Sequence, residues 1–175
     1  MRPLVDAERV HRFIRALGRE VHAEARVYFV GGASAVLSGW RASTIDIDMK
    51  VIPDSEALDA IPKLKESENV NVEFASPDQF IPALPGWEER SRFIVREGSV
   101  TFFHFDFYSQ ALAKLERGLP RDLEDVKQMK QRGLVEPRTA LSLFERIQPD
   151  LKRYPAIDPP SFRRAVEAAF GTPPK

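Results

Sequence analysis

Residues 44–51, TIDIDMKV, alternate polar and apolar side chains without a break. A period of two specifies a β-strand with one face on a core. Ile45, Ile47, Met49 and Val51 form the apolar face, and Asp46, Asp48 and Lys50 share the other. Carboxylates at i and i+2 point the same way, about 6.5–7 Å apart along the strand. Asp46 and Asp48 can therefore converge on a divalent cation, and hard Mg²⁺ prefers carboxylate oxygens. A lone pair of this kind also suits a solvated strand edge, so its flanks decide what it means.

Upstream, RVYFV (26–30) reads as a short apolar strand that runs into Gly31 and Gly32. ASAVLSG (33–39) then reads as a short helix closed by Gly39. A glycine pair opening a helix presents backbone N–H groups with no Cβ in the way, at the end that favours negative charge. Thirteen residues separate Gly32 from Asp46. Glycine turn and aspartates make chemical sense together: one receives a phosphate tail, the other holds metal at the reacting phosphorus. Two-metal sites of this sort keep their ions about 3.5–4 Å apart and clamp both the attacking and the leaving oxygen.

The rest of the chain predicts a fold class. Val10, Phe13, Ile14, Leu17 and Val21 share one helical stripe within residues 6–22. DSEALDAIPKLKES predicts a helix capped by Asp54 or Ser55 and kinked or shortened at Pro62. VNVEFAS (70–76) predicts a strand with Val70, Val72 and Phe74 on one face and Asn71 and Glu73 on the other. SPDQFIPALPGWEE reads as loop or broken helix, and RFIVREGSVTFFHFDFY as a hairpin turning at Glu97-Gly98. From Ser109 the period becomes helical, through SQALAKLERG, PRDLEDVKQMKQRG, PRTALSLFERI and PPSFRRAVEAAF. The expectation is an α+β (mixed α/β) chain. A mixed sheet flanked by helices occupies 1–108, and a helical region packed on it occupies 109–175.

Val30-Gly31-Gly32 with Ser34 nearby, followed by Asp46-Ile47-Asp48-Met49, resembles the signature of the DNA polymerase β-like nucleotidyltransferase superfamily. The link Arg41, Ser43, Thr44 before the aspartates resembles its toxin and abortive-infection branch, close to the minimal nucleotidyltransferases. That branch's late motif is similar to ALAKLERGLPRDLEDVKQM, with Lys114, Arg117, Arg121, Asp122 and Asp125 at the matching positions. The resemblance implies transfer of a nucleoside monophosphate from a nucleoside triphosphate to an acceptor hydroxyl, dependent on Mg²⁺ or Mn²⁺. It implies Asp46, Asp48 and Glu73 as metal ligands, Glu73 fitting as the third carboxylate in Val72-Glu73-Phe74. Asp106, in FHFDFY, is the rival for that role. Gly31, Gly32, Ser34, Arg41, Ser43 and Thr44 would contact the nucleotide. Lys114 would balance phosphate charge, and Asp122 would hold that lysine or act as general base. Charged residues at helical spacing are equally well read as a solvated face. Implied partners are an acceptor RNA, tRNA or protein and a cognate antitoxin.

Composition narrows this further. Lys plus Arg equal Asp plus Glu at 26 each, so no global basic charge announces a nucleic-acid binder. With no cysteine, disulfides and zinc-thiolate sites are excluded. No apolar run approaches the ~20 residues of a membrane span. The charged, amphipathic N-terminus has no signal-peptide core, so a cytoplasmic location is expected.

Overall fold

The computed structural model describes residues 2–172. Two compact units divide the chain: one runs up to Ser76 and adds Ser91–Phe105, the other joins Pro77–Arg90 to the chain from Asp106 onward.

The first unit contains β1 (Val5–Asp6), α1 (Ala7–Glu20), β2 (Ala25–Val30), α2 (Gly31–Ser38), β3 (Ser43–Thr44), β4 (Asp46–Ile52), α3 (Ser55–Ser67) and β5 (Asn71–Phe74). After α4 (Trp87–Arg90), which belongs to the second unit, the hairpin β6 (Arg92–Glu97) and β7 (Val100–His104) completes it. Five strands form a sheet in the order β5-β4-β2-β7-β6. The sheet is mixed: β2 is antiparallel to β4 and parallel to β7, β5 is parallel to β4, and β6 is antiparallel to β7. A separate antiparallel ribbon pairs β1 with β3.

One face of this sheet makes the core. Val27, Phe29, Ile47, Met49, Val51, Val100 and Phe102 join Val10, Phe13, Ile14 and Leu17 of α1, Ala33 and Val36 of α2, and Ala57, Ile61 and Leu64 of α3. The stripe on α1 is buried because its spacing matches one helical face, and Asp6 caps it by accepting from the Arg9 N–H at 2.9 Å. Helix α3 runs through Pro62 to Ser67. The alternation holds within β4: Ile47, Met49 and Val51 are buried, and Asp46, Asp48 and Lys50 lie half-buried on the opposite face, whereas Ile45, placed on the apolar face by the pattern, precedes the strand and is 59 % exposed.

Helix α2 and strand β7 also differ from the pattern reading. Helix α2 starts at Gly31 itself, so the glycines are its first turn. Strand β7 ends at His104 instead of continuing through FDFY. The Phe105 N–H still bonds to the Phe29 carbonyl at 2.9 Å, but Asp106 turns the chain into α5. Its carboxylate accepts from the Tyr108 and Ser109 N–H groups, both at 3.2 Å, which is N-cap geometry.

The second unit is helical: a 3₁₀ turn at Pro77–Gln79, α4, α5 (Phe107–Arg117), α6 (Pro120–Gln131), α7 (Pro137–Ile147), a 3₁₀ segment Gln148–Arg153 and α8 (Pro159–Phe170). Proline opens α6, α7 and α8, where a missing N–H costs nothing. Phe144 of α7 meets Phe162 of α8 edge to face, ring centroids 4.9 Å apart. The architecture is a mixed α+β fold with a sheet flanked by helices and a helical C-terminal part, as the sequence indicates.

Candidate active site

Parallel pairing of β5 with β4 sets Glu73 directly beside Asp48 and Asn71 beside Asp46. Carboxylate oxygens of Asp46, Asp48 and Glu73 consequently lie within 4.8 Å of one another. Antiparallel pairing of β2 with β4 sets Val30 beside Asp48, so the chain reaches Gly31 at the acids. A Cβ on Gly31 would stand 3.3 Å from Asp48 Oδ2. Gly31 has φ +58°, a conformation that side-chain-bearing residues rarely adopt. Val30 at the N-cap position has no side-chain cap bond to give, and the first turn of α2 holds no acidic residue. That leaves the helix start suited to an anion.

Gly32 has a packing reason. A Cβ there would lie 2.0 Å from Thr44 Oγ1 and 2.6 Å from Thr44 Cβ. The link before β4 thus folds against the first turn of α2, and it also brings Arg41 Nη1 to 3.5 Å from that Cβ position. Thr44 Oγ1 donates to the Asp46 carbonyl at 3.1 Å, and Ser43 is held in register with Asp6. One contact therefore sets the glycine turn against the segment that aims Asp46. Gly32→Ala should overpack this contact and cost about 1–3 kcal/mol, read as a lower midpoint in urea unfolding.

Ser34 sits deeper, at 1 % exposed, with its Oγ 2.8 Å from His104 Nδ1. Its hydroxyl therefore ties α2 to β7, a pairing that no sequence spacing announces. Burial first, and the Arg92 charge second, push the His104 imidazole down to about 4. A histidine lowered in the folded state stays neutral while the unfolded chain takes up its proton. Its contribution is complete above about pH 6.5 and is lost as pH falls toward about 4. His104→Gln should flatten the dependence of unfolding free energy on pH across that window, measured by denaturant titrations at stepped pH.

Of the late-motif residues, buried Lys114, Asp122 and Asp125 form an ion network with the exposed Arg117 in the helical unit, and Arg121 is exposed. Lys114 Nζ donates to Asp125 Oδ2 at 2.9 Å and stands 3.9 Å from Asp122 Oδ1. Arg117 grips Asp122 through Nε at 2.7 Å and Nη2 at 2.6 Å. Asp122 also accepts from the Leu119 N–H at 3.2 Å, closing the start of α6. Burial alone would raise the Asp122 carboxyl, but Arg117, the Lys114 charge and that N–H together hold it below its ordinary value. Asp122 is fully buried, so a structural role accounts for it in this arrangement.

Asp106, the rival third acid, has a different occupation. It caps α5, binds the Ser109 hydroxyl at 2.7 Å and receives Arg90 Nε at 3.1 Å and Nη2 at 2.8 Å. Arg90 lies sixteen residues away, and no local pattern pointed to it. The third carboxylate beside Asp46 and Asp48 is Glu73.

A mixed sheet that presents Asp-x-Asp and a third acid beside a glycine-opened helix defines a nucleotidyltransferase-type domain. The chain belongs to the family of nucleotidyltransferases of unknown function designated DUF6036, which it matches over residues 8–151. No curated protein and no solved structure matches it. The donor set fits a hard cation: three carboxylates, with no thiolate or imidazole among them.

Proposed function

We propose that this chain is an active nucleotidyltransferase, moving a nucleoside monophosphate from a nucleoside triphosphate to an acceptor hydroxyl. One observation carries the reading: Asp46, Asp48 and Glu73 converge beside the first turn of α2. Mg²⁺ or Mn²⁺ held by these carboxylates would supply positive charge to the reacting phosphate and to the acceptor oxygen. The protein's own groups bind and orient. Backbone N–H groups at Gly31 and Gly32 receive phosphate oxygens, and Arg41, beside Gly32, adds a cation. An acceptor oxygen forms a bond to the α-phosphorus, and the bond to the pyrophosphate oxygen breaks with its electron pair. The hydroxyl proton is given up to solvent. Positioning and electrostatics supply the rate.

In the cell we assign it to the cytoplasm as the toxin half of a toxin–antitoxin pair, with a hydroxyl of RNA, above all tRNA, or of a protein as acceptor. Induced expression should then arrest growth, and the Asp48→Asn form should not.

A thermal-shift titration tests the site directly. Each of the four nucleoside triphosphates is added with and without Mg²⁺ to the protein and to Asp48→Ala. A ligand that binds only the native state raises the midpoint. The expected result is a Mg²⁺-dependent rise for at least one nucleotide that disappears in the variant. A flat response to all four nucleotides would overturn the reading.

A further inference from the structure

The acids occupy three corners of a square. Register pairs Asp48 with Glu73 and Asp46 with Asn71, on neighbouring strands about 4.7–4.9 Å apart. Asn71 and Glu73 are two apart on β5, so both share the face of Asp46 and Asp48. Three corners carry carboxylates whose oxygens lie within 4.8 Å of one another. The fourth carries the half-buried, uncharged amide of Asn71.

The sense of that amide follows from its partner. Arg2 Nη1 donates to Asn71 Oδ1 at 3.1 Å and to the Val70 carbonyl at 2.8 Å, and its Nη2 donates to Glu66. A guanidinium has donors only, so the amide meets it with oxygen and its NH₂ end points away from Arg2. Among the described residues no other hydrogen bond reaches the Asn71 side chain. Arg2 is itself held, its side chain 22 % exposed. Arg9 straps the segment that follows Arg2 to the turn before β5, donating to the carbonyls of Leu4 at 2.8 Å, Glu68 at 2.9 Å and Asn69 at 2.7 Å. Val5 and Asp6 then pair with Thr44 and Ser43, in the link that aims Asp46. One short segment thus holds the starts of both β4 and β5.

Bracing alone does not call for an amide. An aspartate at 71 would grip Arg2 more strongly, through a charge-assisted pair. It would also complete a ring of four carboxylates, which raises their mutual repulsion and turns away a phosphate. The amide keeps the Arg2 bond, adds no charge and presents a donor beside Asp46. Under the transferase reading, cations on the acids draw phosphate oxygens to this place. A phosphate oxygen keeps lone pairs for an N–H donor as well, and one strand spacing separates that donor's residue from Asp46.

We propose that Asn71 is a substrate-contact residue: its Nδ2–H group donates to a phosphate oxygen of the metal-bound nucleoside triphosphate, and Arg2 is the positioning residue that fixes the amide in that sense. The proposal rests on the transferase reading and adds a contact to its substrate.

The test is a thermal-shift titration of the full chain with the Mg²⁺ complexes of the four nucleoside triphosphates and of tripolyphosphate, against Mg²⁺ alone. Asn71→Asp keeps the size and the Arg2 pair but replaces the donor with a negative oxygen. It should leave the response to Mg²⁺ alone intact or larger, and weaken the tightest nucleotide roughly 10-fold to 100-fold. Arg2→Met should weaken that nucleotide less, and should add nothing in an Asn71→Ala background, because it acts only through the amide. Tripolyphosphate, with phosphate oxygens and neither sugar nor base, should follow the same order. A chain that responds to a nucleotide equally with and without Asn71→Asp overturns the proposal and leaves the transferase reading standing. Loss of the response to Mg²⁺ alone also overturns it, since Asn71 would then serve the metal or the fold. So does a loss confined to the nucleotides and absent for tripolyphosphate, which would put the donor on sugar or base. An unaltered chain that responds to no nucleotide takes down both readings.

Discussion

Asp48→Asn should cut nucleotidyl transfer by about a thousandfold or more while the protein stays folded. Asp48 is the middle member of the acid cluster: it shares a strand face with Asp46 and is the register partner of Glu73. Its Oδ2 also approaches the glycine turn, so under the proposed function it would join the metal end of the site to the phosphate end. The amide keeps the shape and removes one of three clustered negative charges. Without metal, that relieves repulsion, so the thermal midpoint in chelator should hold or rise. In Mg²⁺ the order should reverse, because the unaltered protein gains stabilisation from the ion and the variant gains little. Asp106→Asn is the contrast. It weakens an N-cap and the Arg90 pair, so it should lower stability by about 1–3 kcal/mol and leave the Mg²⁺ response intact. If Asp48→Asn transferred nucleotide at the original rate, the acid cluster would not be the catalytic centre.

The site was legible in the sequence wherever its chemistry is local. β4 has one core face, so period two alone assigned Asp46 and Asp48 to the other. Glu73, in an apolar-acid-apolar setting, needed the parallel register of β5 before it could be set beside Asp48. The glycines were readable as a turn, but not the Thr44 contact that excludes a Cβ at Gly32, since that depends on the path of the link. FFHFDFY keeps a strand period past the true end of β7. The capping carboxylate of Asp106 and distant Arg90 override it, a case of tertiary contacts defeating propensity. Residues 77–90 read as loop or broken helix, and a 3₁₀ turn and α4 lie there; that they cluster with the C-terminal helices was not legible. Here Tyr154 donates from its hydroxyl to the Asp78 carbonyl at 3.0 Å, a partner 76 positions away.

Lys114→Met should produce the largest loss of stability of any exchange considered for this chain, about 3–5 kcal/mol. The Lys114 side chain is 10 % exposed, against 2 % for Asp125 and 0 % for Asp122. Removing the ammonium takes a cation at 2.9 Å from Asp125 and part of the positive field from Asp122, while both carboxylates stay out of water. The cost is mainly that of a buried charge stripped of its partner, which exceeds the net worth of the intact pair. Lys114→Met combined with Asp125→Leu should therefore recover much of the loss, because burying neither charge removes the penalty. The acid limb provides a second check. Asp122 is held below its ordinary value of 3.8 in the folded state. Its contribution is present above that value and disappears as pH falls through the lower folded one. Arg117→Met should shrink that acid-sensitive portion, seen as a shallower stability change below about pH 4. Transfer by the double variant, assayed where it is folded, decides what the lysine is for. Activity restored along with stability makes Lys114 a structural cation that locks α5 to α6. Activity still lost after stability returns assigns the ammonium to the phosphates, the role its motif implies.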